Sequence, residues 1–149
     1  MTWLTPVFDR TSADVAFAIQ KLHEWKQNTS EMYDLKGCLN ASDINRILNN
    51  NFCLREMLVE YLYFMRWVIW DELKVGDVPT RTYIDDVIID TRDVLECFFT
   101  PNNAPPLPDT LLSFEQVNAL EEIQYLLKEM IDDMISSMRD CDTFECGEE

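Results

Sequence analysis

Glycine, histidine and proline are scarce in this sequence, with three, one and six among 149 residues, and each shortage closes off some chemistry. With glycine only at positions 37, 76 and 147, no Gly-rich loop can cradle a phosphate, and a β-rich fold with many tight turns is disfavoured. His23 stands alone. Neither Gly-x-Ser-x-Gly nor a Cys/His arrangement surrounds it, so it reads as an ordinary helix histidine and no nucleophile–base pair is legible. No catalytic residue, cofactor site, metal site or small-molecule substrate is expected. Basic residues are few as well: 12 Lys and Arg against 28 Asp and Glu leave a formal charge of −16, which repels nucleic-acid phosphates and anionic membranes. The opening MTWLTPVFDR lacks the basic-then-apolar order of a secretory signal. The longest apolar run, residues 57–70, holds Glu60 and Arg66 and is too short to span a bilayer. Five cysteines, an odd number without a signal, read as free thiols in a reducing compartment.

What is present is apolar content, 47% of residues, in helical periodicity. The expectation is all-α, a single small bundle of about five helices with an ordered N-terminal arm and a Pro-rich connector. Residues 1–10 form the arm, anchored by Trp3, Val7 and Phe8, with Pro6 biasing Thr5 to an extended conformation. Thr11 and Asp14 frame a capping box. Val15, Ala18, Ile19, Leu22 and Trp25 then make an inward stripe to about residue 27. Asn40 caps a second helix, with Asp43 at its positive end and Ile44, Ile47 and Leu48 inward. Asn49, Asn50 and Asn51 are poor helix-interior residues and predict a break or kink. A third helix over residues 52–73 follows, apolar on most sides. A fourth covers residues 82–99, with a strand over residues 83–89 as its competitor because β-branched residues cluster there. Residues 101–108, PNNAPPLP, cannot be helical. Ser113 and Gln116 frame a second capping box. It opens a helix to about residue 139, with Val117, Leu120, Ile123, Leu127 and Ile131 on one face and Glu121, Glu122, Lys128 and Glu129 on the other. The remainder, residues 140–149, is acidic.

Two groups of residues stand out as candidate sites. Asp9, Arg10, Asp14, Asn40, Asp43, Asn45 and Arg46 combine two arginines with carboxylates and amides, and predict a polar staple between arm and helix. Tyr63, Trp67 and Trp70 fall at i, i+4 and i+7 of the third helix, on a flank that one small core hardly hides. That flank predicts contact with other chains. Asp85, Asp86, Asp90 and Asp93 read as a solvated acidic face and not as a cation site.

The run Trp3-x-Thr5-Pro6-x-x-Asp9-Arg10-Thr11-x-x-Asp14-Val15, followed by Gly37-x-x-Asn40-Ala41-x-Asp43-x-Asn45-Arg46-Ile47, resembles a recurrent block in structural proteins of tailed bacteriophages and prophages of Gram-positive bacteria. Pro105-Pro106-Leu107-Pro108 and Leu112-Ser-Phe-Glu115 look similar to the same group. The resemblance implies a virion component of the tail, baseplate or fibre region, made in the bacterial cytoplasm. Its partners would be other virion proteins and further copies of itself, with no enzymatic activity. The alternative is an acidic inhibitor that mimics DNA on a host nucleic-acid-binding protein. Charge and length suit that role; the surplus of aromatics does not.

Overall fold

The computed structural model describes residues 2–25, 35–63, 71–74 and 76–141, with the backbone alone for residues 25 and 139–141. Among them are four α-helices and no strand: α1 Ser12–Trp25, α2 Ala41–Glu60, α3 Arg81–Cys97 and α4 Phe114–Cys141. The chain is all-α, with four helices in place of about five. The count falls because the anticipated break at Asn49–Asn51 is absent and α2 runs through it. Asparagine disfavours helix interiors when its amide competes for its own backbone. Here all three amides are engaged elsewhere in the fold, as described below.

Local chemistry sets most helix starts. Thr11 and Asp14 bond reciprocally, Thr11 N donating to Asp14 Oδ2 (2.8 Å) and Asp14 N to Thr11 Oγ1 (3.3 Å). Ser113 and Gln116 do the same for α4, at 3.0 and 3.3 Å. Thr80 accepts from Tyr83 N at 3.2 Å and starts α3, so residues 83–89 are helical despite their β-branched content. The end of α2 departs from expectation. Leu62 sits in the left-handed region (φ 69°), and Tyr63 N bonds back to Leu58 O at 3.1 Å. This is a Schellman stop, with leucine where glycine is usual. No glycine or proline marks the position, so the apolar pattern overran it. Residues 61–63 and 71–74 are not helical. Leu62 is 76% exposed, so its side chain adds little packing to offset a strained backbone. Leu62→Gly should therefore raise stability by about 0.5–1 kcal/mol, read as a shift of the urea midpoint.

The three long helices are parallel. Ile44, Ile47 and Leu48 of α2 pack with Val87 and Ile88 of α3 and with Val117 and Leu120 of α4 in one cluster. A second cluster joins Leu54 and Leu58 to Val94 and Phe98 and to Ile123, Leu127 and Ile131. The three helices therefore advance together, start beside start. Parallel neighbours need long returns, and the returns are visible in the packing. Tyr63 lies in the C-terminal cluster and Leu73 in the N-terminal one. Between α3 and α4, Ala104 belongs to the C-terminal cluster, Leu107 to both and Leu111 to the N-terminal one. The proline-rich stretch thus descends the bundle. Its sixteen residues (98–113) can reach about 50 Å at roughly 3.1 Å each; α3, with 17 residues, rises only about 26 Å. The short connections of an antiparallel bundle could not make this trip.

The helix α1 stands apart. Ala18 is buried, but Phe17 (53% exposed), Ile19 (50%) and Leu22 (42%) face outward. The inward stripe expected on α1 is therefore only partly used.

Candidate functional site: a buried charge ring

The N-terminal segment runs antiparallel to α2 and α4 and is held through its backbone by side chains of both helices. Asn50 clasps Leu4, accepting from Leu4 N (3.0 Å) and donating to Leu4 O (2.8 Å). Asn49 donates to Thr2 O at 2.8 Å. Asn118 of α4 clasps Arg10 in the same way, accepting from its N–H (3.3 Å) and donating to its carbonyl (2.9 Å). Between them Val7 N donates to Glu121 Oε2. A third clasp joins Asn45 to Leu73, at 2.8 and 2.9 Å, and pins the returning chain after α2. Each carboxamide presents a donor and an acceptor side by side, which matches one residue's N–H and C=O.

Beneath the segment lies a closed ring of four charges. Arg10 Nη2 meets Asp43 Oδ1 at 2.8 Å, and Arg46 Nη2 meets the same oxygen at 2.7 Å. Arg46 reaches on to Glu121 Oε1 through Nε (3.0 Å) and Nη2 (2.5 Å). Glu121 Oε2 closes the ring to Arg10 Nη1 at 3.5 Å. Side-chain exposure is 3% for Arg10, 9% for Asp43, 16% for Arg46 and 0% for Glu121. Alternating charges at this burial compensate one another, whereas a single one would not be tolerated. Burial pushes the Glu121 carboxyl above its ordinary value, against the pull of Arg46 and Arg10. The remaining ring contacts fix local backbone: Arg10 Nη1 donates to Val7 O, and Asp43 Oδ2 accepts from Asn40 N at 3.1 Å.

Of the residues expected in the staple, Arg10, Asp43 and Arg46 meet in the ring, and Asn40 flanks it. Asp14 serves the α1 cap, Asp9 pairs with Lys36 at the surface (2.8 Å), and Asn45 holds Leu73. Gly37 also has a part. A Cβ there would lie 2.1 Å from Asp14 O and 2.6 Å from Val15 N, so only glycine allows this loop to close on the start of α1. Trp3 is half-buried in the C-terminal cluster, 5.9 Å below Lys128 Nζ, and Pro6 is buried. Tyr63, half-buried, packs edge-on against Phe98 (5.4 Å, 84°). It follows the end of α2. Trp67 and Trp70 themselves lie outside the described residues.

Spacing alone missed Glu121, Asn118, Asn50 and Gln124. Glu121 was assigned to the charged face of α4, yet it is fully buried. The available signal was positional, since residues 117, 120, 121, 124 and 127 share one stripe and 121 and 124 are its polar members. Gln124 Nε2 donates to Ile47 O (2.8 Å) and Asn51 Oδ1 (2.7 Å), and Thr91 Oγ1 lies 3.1 Å from the same Asn51 oxygen. Further along, Arg55 and Asp90 form a buried ion pair. Asp90 is therefore no part of a solvated acidic face. Among the described residues, no three His, Cys, Asp or Glu side chains converge as metal ligands, and no helix is long and apolar enough to cross a membrane.

Cys38, Cys53 and Cys97 are free thiols. Burial pushes all three upward, aided by Asp43 at Cys38, by Glu56 at Cys53 and by Asp93 at Cys97. In the folded protein they should react slowly with a thiol reagent at neutral pH, and Cys53, 5% exposed, should be slowest. Timed alkylation with mass spectrometry reads the order, and rapid labelling of Cys53 in the native state would contradict it.

No protein-family model matches the chain, and neither a curated protein nor a solved structure matches it.

Proposed function

We propose that the protein is a non-enzymatic virion component of a tailed phage or prophage, acting in the tail, baseplate or fibre region by packing against other virion subunits. The observation that carries this reading is where the two phage-like motifs go. They lie 33 residues apart at Arg10 and Asp43, yet they close on each other through the charge ring and the Gly37 contact. The motif residues that meet there are buried and engaged with one another, which suits a scaffold more than a reaction centre. In this reading residues 2–10 act as an arm and residues 101–112 as a stiff connector. The element they hold in place, α1, offers Phe17, Ile19 and Leu22 to a neighbour. Exposed apolar groups on a rigid mount are the usual form of an association surface.

The test is mass spectrometry of purified particles, with cross-linking. The chain should be present at a fixed stoichiometry and cross-linked to tail-region subunits. Presence in infected cells with absence from particles would overturn the reading and favour an inhibitor of a host protein.

A further inference from the structure

Residues 2–10 are fastened to the bundle mainly by polar contacts, whereas α2, α3 and α4 are joined mainly by apolar ones. Of these nine residues only Pro6 and Arg10 are buried, and Leu4 and Phe8 are 43% and 36% exposed. Trp3 meets a core cluster from a half-buried position. Three amides donate to the bundle, one every third residue: Leu4 N to Asn50, Val7 N to Glu121 and Arg10 N to Asn118. The Arg10 side chain adds the charge ring, yet its departure strands no carboxylate. Arg46 already spans Asp43 and Glu121, at 2.7 and 2.5 Å, and keeps both paired. Among the described residues nothing accepts from the buried Arg10 Nε, and water supplies that bond once the side chain leaves. Segments with few buried apolar contacts are the ones that open locally.

We infer that residues 2–10 form a strap that undocks from α2 and α4 as one unit while the three-helix bundle stays folded. The unit ends at Thr11, because the capping box with Asp14 and the close contact of Gly37 hold the start of α1. Undocking bares a slot between α2 and α4 with Asn50, Glu121 and Asn118 along it. In the docked form each of the three meets main chain and takes no account of the side chain attached to it. The strap is thus a cover over a slot that reads extended main chain, with the Arg10 guanidinium as its latch. This inference does not depend on the virion role.

Hydrogen exchange of the full chain at a series of low urea concentrations tests this. The Leu4, Val7 and Arg10 amides should share one opening free energy, smaller than that of the Leu54 and Ile123 amides in the core. That opening should depend little on urea, because undocking exposes little surface. Asn118→Ala removes the partner of Arg10 alone, yet it should speed exchange about tenfold at Leu4 and Val7, whose own partners are untouched. Asn50→Ala, read at Val7 and Arg10, is the reverse experiment and serves if the first variant fails to fold. Exchange of the three amides only together with Leu54 and Ile123, at the same urea dependence, would show that the segment leaves only when the bundle unfolds. Three unequal opening free energies, or an Asn118→Ala chain with Leu4 unchanged, would show fraying residue by residue in place of a unit. Either result overturns the inference.

Discussion

Glu121→Ala should lower the unfolding free energy by about 3–5 kcal/mol, the largest loss expected from any one change in the N-terminal half of the bundle. The reason is the position of Glu121 in the ring. It accepts from Val7 N in the N-terminal segment and is, among the described residues, one of two carboxylates serving Arg10 and Arg46. Without it the buried Arg10 and the half-buried Arg46 have Asp43 as their one carboxylate, and the half-buried Val7 amide loses its acceptor. Glu121→Gln should fall between wild type and alanine, because an amide oxygen still accepts from Arg46 but brings no charge. Denaturant unfolding measures the ranking. Hydrogen exchange supplies the mechanism: the Val7 amide should lose protection in both variants, before the core amides of α4 do. A loss below about 1 kcal/mol for Glu121→Ala would mean that water enters the site and the ring contributes little.

The parts of this molecule that were legible in the sequence are those set by near neighbours. Capping pairs three residues apart announced the starts of α1 and α4, and the apolar stripe of α4 announced its buried face. The parts that were not legible depend on partners remote in sequence. The asparagines at 49, 50 and 51 read as a break because propensity prices the amide against its own backbone; Leu4, Thr2 and Gln124 are invisible to that reckoning. Leu62 at the stop of α2 gave no glycine signal, so the third helix was drawn through it. The parallel order of α2, α3 and α4 is a topological fact with no local mark, although the length of the proline-rich return is consistent with it afterwards. In the candidate site, Arg10, Asp43 and Arg46 were legible because two arginines amid carboxylates and amides can satisfy one another by charge-assisted bonds. Glu121, 75 residues beyond Arg46, looked like one more surface charge.

Arg55→Ala should be as costly as the loss of Glu121, about 3–5 kcal/mol, because Asp90 would remain in a fully buried position without its cation. The double variant Arg55→Met with Asp90→Leu should behave differently. It replaces a desolvated pair by apolar groups of similar volume and should fall within about 1 kcal/mol of wild type, or above it. What the pair supplies is then register. Along α2, polar contacts to the neighbouring helices recur at Arg46, at Asn51 and at Arg55, with Glu121, then Thr91 and Gln124, then Asp90 opposite them. Parallel helices with apolar stripes can slide by one turn at small cost in burial, but a slide breaks all these contacts at once. The double variant should therefore keep its helicity and midpoint while its amide spectrum broadens, as packing near Leu54, Val94 and Ile123 samples more than one register. A double variant as unstable as Arg55→Ala would show instead that the ion pair contributes net stability. Sharp, fully dispersed resonances would show that the layers at Glu121 and Asn51 hold the register without it.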